Sequence, residues 1–367
     1  MKFGIFDYGM WHESQSAAEV LESAVSHAQL ADELGYEAIW LGEHHFSRHG
    51  IYGNVLTLGS FIAANTNRLR IGTAVVILPL NQPIRVAEEV AMVDVLSKGR
   101  LDLGVGSGYQ RLEFGGFGVD LNESRARFAE SLDVIIAAWT QENLKYEGKF
   151  YRWDGADNLN VQPKPHQTPY PNIYVAISAS PETIDMAAKR NIRLLVGGPT
   201  DIMGIAPQVV ERWRNAMIDY GHDPVGIDIP CAKGIYVADT DEEAEADIAA
   251  VDRFWDLKLL SQIGSPISPS GEVPKGYEHW AMRTQDRENT LKLNTAGTAA
   301  LVGSPDTVAR RIEELRSMGL TYIFGGFGLP GMPEEKKMRA IELFGREVMP
   351  RFADAPAASP DRAAQGA

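Results

Sequence analysis

Ala38-Ile39-Trp40-Leu41-Gly42-Glu43-His44-His45-Phe46 is a short apolar run that ends in a charged rim. Four apolar residues at this density suit a buried strand. The two imidazoles behind them would lie at its C-terminal end. Working outward, the same unit recurs: an apolar run, a loop, then an amphipathic stretch. Phe3 to Phe6 reads as strand one, and Ala17 to Leu34 as a helix with Val20, Leu21, Ala24, Ala28 and Ala31 on one face and Gly35 at its end. Val55 to Ala64 is helical, Leu69 to Ile77 is strand three, and Ile84 to Leu96 is a helix closed by Gly99. Leu101 to Val105 is strand four, followed by a glycine-rich loop and a helix from Ser124 to Trp139. Asn172 to Ala176, Arg193 to Val196, Ile229 to Val237 and Tyr322 to Gly325 complete eight strands. Their helices run over Pro181 to Arg190, Ile205 to Tyr220, Asp241 to Leu260, Pro305 to Met318 and Glu334 to Met349.

Strands alternating with helices imply a parallel sheet with crossover helices. Eight such units suit a closed (β/α)8 TIM barrel better than an open sheet. We read residues 1–350 as one barrel domain and 351–367 as a flexible tail of Ala, Pro, Ser and Gly. Two insertions break the rhythm, at about 143–171 and 261–294. The second carries Pro266, Pro269, Gly271, Pro274 and Gly276, and is expected to be a mobile lid after strand seven.

Composition excludes several classes. The 367 residues carry 49 acidic against 35 basic side chains, a net charge of -14, which does not invite nucleic acid or an anionic membrane. An anionic cofactor would need a local positive anchor. The one cysteine, Cys231, rules out an internal disulfide and a cysteine-built metal site. No signal-peptide pattern opens the chain and no apolar run reaches membrane-spanning length, so the expectation is a soluble cytoplasmic protein.

The chemistry should sit where strands end. If strand two ran on through position 45, His44 and His45 would face opposite ways. One would face the barrel axis and the other would pack outward. That argues against both binding one metal. Glu43, His44 and His49 could form a rival metal site, but no second ligand cluster supports it, and no metal is expected. Gly104, Gly106 and Gly108, interleaved with Ser107 and followed by Tyr109, let backbone approach a ligand and expose amides to a phosphate. A flexible turn is the plainer reading. Ser178-Ala179-Ser180 precedes a helix starting near Pro181, where free amides hold anions, although simple capping by Ser180 explains it equally. Gly197-Gly198 is a similar permissive turn.

Met1-Lys2-Phe3-Gly4, Glu43-His44-His45-Phe46, Gly72-Thr73-Ala74 through Leu78-Pro79, Ser97-Lys98-Gly99-Arg100, Phe117-Gly118, Ser124-Arg125, Val175-Ala176 with Ser178-Ala179-Ser180, and Gly303-Ser304-Pro305 together resemble the bacterial luciferase family of flavin-dependent monooxygenases. The resemblance runs from Met1 to about Pro350. It implies FMN at the C-terminal rim, reduced FMN from a separate flavin reductase, O2 as co-substrate, a flavin C4a-hydroperoxide as oxidant, and a homodimer. By position it makes His44 the catalytic histidine, Ala74-Val75 a non-prolyl cis peptide under the isoalloxazine, and Arg125 and Ser178 phosphate contacts. Gly106, Ser107, Tyr109, Ala179 and Gly197 complete the expected cofactor set. The luciferase loop has a reactive cysteine followed by a phosphate-binding arginine where this chain has Gly106 and Ser107. A luciferase glutamate is Ile177 here. These departures argue against light emission and leave Arg125, Ser107 and backbone amides as anchors.

The reading is therefore a two-component FMN monooxygenase acting on a small or medium apolar organic substrate. A deazaflavin (F420)-dependent oxidoreductase would need a basic mouth, and no Lys/Arg cluster lies near the loops. A non-catalytic flavin-binding partner subunit would tend to lose the histidine or the lid.

Overall fold

A computed structural model describes residues 1–177, 180–197, 206–251, 266–267, 270–274, 277 and 300–353. The elements run β1 (Lys2–Asp7), α1 (Ala17–Leu34), β2 (Ala38–Leu41), α2 (Val55–Ala64), β3 (Arg70–Thr73), β4 (Val76–Ile77), α3 (Pro83–Leu96), β5 (Leu101–Gly106), α4 (Arg111–Phe117) and α5 (Ser124–Thr140). They continue with β6 (Tyr146–Glu147), β7 (Arg152–Trp153), β8 (Asn172–Ile177), α6 (Pro181–Lys189), β9 (Arg193–Val196), α7 (Ala206–Asp219), β10 (Pro230–Val237), α8 (Asp241–Ala250), β11 (Ala300–Gly303), α9 (Pro305–Ser317), β12 (Tyr322–Phe327) and α10 (Glu334–Leu343).

The sheet is parallel and closes on itself. From β12 it passes through β1, β2, β3, β5, β8 and β9 to β10, which returns to β12. This is the expected TIM barrel. Helix α1 shows how locally the sequence commits to it. Ser16 and Glu19 form a reciprocal capping box, Gly35 ends the helix at φ 94, and Val20, Ala24, Ala28 and Ala31 are buried. Three alanines on that face let the helix lie close to the sheet.

The strands bury both faces. Outward residues such as Ile39, Leu41, Cys231 and Ile323 join the helices in one large core. Inward residues Ala38, Trp40, Tyr174, Leu195, Ala232, Tyr322 and Phe324 fill the barrel itself. Trp40 donates its indole N–H to the Tyr322 hydroxyl at 3.0 Å and meets the Tyr174 ring edge-on at 5.2 Å. Gly72 makes room for it, since a Cβ there would lie 2.3 Å from the indole. Below this layer Arg70 grips Asp102 at 2.6 and 2.8 Å, and Asn172 donates to the same carboxylate at 3.0 Å. Trp40 is thus a fully buried plug.

Several expectations are corrected. Strand three is not one run: β3 and β4 flank the Ala74-Val75 peptide, which is cis. Strand two stops at Leu41, and the chain turns away with Phe46 at φ 61, so strand alternation does not set the histidines. The acidic helix after strand seven ends at Ala250, where Val251 is extended, rather than at Leu260. Helix α4 and strand β11, which pairs with the end of β10, were not anticipated. The insertion at 143–171 holds the β6–β7 hairpin. Most of 261–294, and the tail beyond 353, lie outside the described residues. None of the described helices is long and apolar enough to cross a membrane.

Candidate active site

The C-terminal ends of β1, β2, β4 and β5 bring the predicted residues together. The loop after β2 places Glu43 almost fully buried. It accepts the Ile77 N–H at 3.2 Å, lies 3.0 Å from His45 Nε2, and takes the Asn81 amide. Glu43 and His45 therefore fasten the β2 loop to the segment that follows the cis peptide. His45 also packs against Phe117, with ring centroids 4.7 Å apart.

His44 turns the other way. Its Nδ1 lies 2.9 Å from Glu113 Oε1, a carboxylate only 1% exposed on α4. The same oxygen accepts the His45 N–H at 3.1 Å, and Gln110 brings its amide to 3.0 Å from Nδ1. A carboxylate at Nδ1 selects the tautomer with the proton there and leaves Nε2 for a ligand. His49 packs beside His44 with centroids 4.4 Å apart. Burial and the neighbouring His44 hold its imidazole well below the ordinary histidine range, so it is neutral. Its Nδ1 is buried without a hydrogen-bond partner among the described residues. Tyr8 stands against both rings, and Tyr109 meets His44 edge-on at 6.5 Å.

Ala74 and Val75 are half-buried and pack against the barrel's inner layer. Gly106 permits this, because a Cβ there would lie 2.7 Å from Val75 Cγ2. Across the loop, Arg125 donates to Ser180 Oγ at 3.3 Å and lies over the Tyr277 ring at 5.5 Å. Tyr277 donates to the Gly108 carbonyl at 2.6 Å, meets Ser124 Oγ at 3.0 Å, and hydrogen-bonds the Ser107 side chain. Burial raises its phenol above the ordinary value. Ser180 caps α6 through the Thr183 N–H, with Pro181 in the first turn. Gly197 faces Ala232 at the end of β9. Ser178 and Ala179 lie outside the described residues.

Arg125 and Ser107, both expected at the cofactor site, thus meet around Tyr277 together with Ser180, which the sequence offered only as a cap, and Tyr109 on the same loop as Ser107 meets His44. The sequence reading missed Glu113, Gln110 and Tyr277. The spacing of Gln110 and Glu113, one helical turn apart, was the available signal. Among the described residues no group of three His, Cys, Asp or Glu could hold a metal. The donor set fits an organic phosphate: one guanidinium, hydroxyls and a helix N-terminus, beside a flat apolar wall and a hydrogen-bonded imidazole.

A closed parallel barrel with a non-prolyl cis peptide at its rim sets the class as a β/α-barrel protein with its candidate site at the C-terminal ends of the strands. A profile of the luciferase-like monooxygenases matches residues 1–322, and the chain belongs to that family. It is similar to the uncharacterised protein y4wF of Sinorhizobium fredii, 33% identical over 96% of this chain and 97% of that protein. It is similar to an FMNH(2)-dependent dimethylsulfone monooxygenase of Pseudomonas putida, 29% identical over 88% of this chain and 85% of that one. The crystal structure of monooxygenase RslO1 from Streptomyces bottropensis superposes with a TM-score of 0.82 at 28% identity, over 96% of this chain and 100% of that one.

Proposed function

We propose that this protein is a two-component monooxygenase. It takes reduced FMN from a separate reductase and uses O2 to oxygenate a small or medium organic substrate with an apolar body. The observation that carries the reading is the meeting of two halves at one rim. Arg125, Ser107 and Ser180 offer an anion cradle, and His44, held by Glu113, lies in the loop after β2, whose last residue, Leu41, accepts the Ala74 N–H at 2.6 Å. The FMN-dependent relative supports the choice of flavin.

Reduced FMN, when bound, supplies the electrons that activate oxygen. The chain's residues do the rest. Arg125 and the α6 N-terminus would hold the phosphate, with Ser178 and Ala179 contributing amides. Ala74 and Val75, with Gly106, would support the ring system, and Gly197 and Tyr109 would border it. His44 would hold or move a proton at Nε2, with Glu113 fixing the other nitrogen. Tyr8, Tyr109 and Phe6 would keep water out. The insertion at 261–294 would cover the site. Its described residue Tyr277, already buried against the Gly108 loop, supports that role. Exposed Phe61, Met92 and Leu96 on α2 and α3, which pack together, support a homodimer.

The test mixes the pure protein anaerobically with photoreduced FMN or with reduced F420, then admits air. Tight binding of reduced FMN and suppressed peroxide release are expected. Binding of F420 alone would overturn the proposal in favour of a deazaflavin oxidoreductase. Binding of neither would remove the flavin reading.

A further inference from the structure

His44 also lines an open pocket of about 650 Å³, formed with Trp11, His45, Phe46, Ser47, Arg48, Ile51, Gly53 and Leu112. That volume admits a small organic molecule. Its lining offers Trp11, Phe46, Ile51 and Leu112 as apolar or aromatic surface and, among the described residues, includes no carboxylate. In a chain of net charge -14, a cation facing such a pocket without a carboxylate partner among the described residues is unusual. Arg48 is one.

The guanidinium of Arg48 is held by partners that do not neutralise it. It lies 4.3 Å from the centroid of the Trp11 ring, and its Nη1 donates to the His12 carbonyl at 3.3 Å. The Trp11 N–H in turn donates to the Arg48 carbonyl at 3.0 Å, and the indole N–H to Gln15 O at 2.5 Å, so the two loops brace each other. Among the described residues Arg48 makes no ion pair. A guanidinium stacked on an aromatic face loses little freedom on binding, and its fork matches a carboxylate through two parallel hydrogen bonds.

We propose that Arg48 is the specificity residue of this pocket, and that the substrate is an organic carboxylate. Its head group pairs with Arg48. Its apolar body lies along Phe46, Ile51 and Leu112, with its reacting end toward His44. This rests on the reading of His44's pocket as the reaction site. It adds the class of substrate, which the flavin chemistry alone does not set.

The test uses the full chain and two matched probes, 4-phenylbutanoate and 4-phenylbutanamide, titrated by calorimetry without flavin. The acid is expected to bind about tenfold or more tightly than the amide, the ordinary gain of a charge-assisted hydrogen bond. Arg48→Gln should erase the preference, and Arg48→Lys should keep part of it. Circular dichroism checks that both variants fold. Equal affinities, a preference that survives Arg48→Gln, or no binding of either probe at millimolar concentration would overturn the assignment. Reduced FMN is titrated separately. If the protein failed to bind it, the flavin reading would fall while the acid-to-amide ratio still reported on Arg48.

Discussion

Two histidines sit on either side of the end of β1 and differ in charge. His27 on α1 is pinned between Asp7 Oδ2 at 3.0 Å and Glu334 Oε1 at 2.7 Å, and these carboxylates push its imidazole up to about 9 although burial opposes it. His49 is half-buried, with its Nδ1 shut away from solvent and no carboxylate paired with it among the described residues, and it is held neutral. Burial alone discharges an imidazole, and two carboxylates reverse the outcome. Adjacent residues divide the work. Asp7 faces the clamp, where its other oxygen accepts the Gly9 N–H and the Tyr52 hydroxyl. Tyr8 faces His44 and His49. One region is ionised; in the other, His49 is held neutral beside His44.

Breaking the clamp should have the largest effect on the protein. His27→Ala leaves the largely enclosed Asp7 carboxylate without its cation, while the more exposed Glu334 keeps Lys337 at 3.6 Å, and should cost about 3 kcal/mol of stability in urea unfolding. A loss near zero would show that the clamp does not hold the fold. The pocket should respond in the opposite sense. His44→Ala should keep its stability and its affinity for reduced FMN, yet lose roughly a hundredfold in substrate oxidation and release peroxide instead. Normal turnover by that variant would remove His44 from the chemistry. Arg125→Ala should weaken reduced-FMN binding by about tenfold without unfolding the protein, and an unchanged titration would displace it from the cradle. The finest test is pH. The raised pKa of His27 means its contribution is full below about 6.5 and is lost as pH rises through about 9. The carboxyl groups of Asp7 and Glu334 are shifted down by their bonds to His27, so their contribution is lost as pH falls through the carboxylate range. The urea midpoint should therefore decline toward pH 10 in the native chain, and this decline should vanish in His27→Gln.

The eight barrel strands were legible because parallel strands buried on both faces read as continuous apolar runs. Strand β11 is a four-residue pairing on the edge of β10, too short and too close to the insertion to stand out. Gly115 and Gly116 disguised α4 as loop, and with it went Glu113. His44 was legible from its place behind a strand. Its carboxylate was not, because the two are 69 positions apart and meet only when the barrel closes. The cis bond at Ala74-Val75 and the gathering of Ser107 with Arg125 matched expectation through family likeness, not through periodicity. Nothing in the sequence pattern singled out Arg48. Its meaning lies in what the fold leaves beside it.

Trp40 over Gly72, seated on Tyr174, Tyr322 and Phe324 and floored by Arg70 and Asp102, makes the barrel a vessel with a solid base. A cofactor and substrate bound as proposed would both enter from the rim above this base. Whichever entered last would lie over what came before.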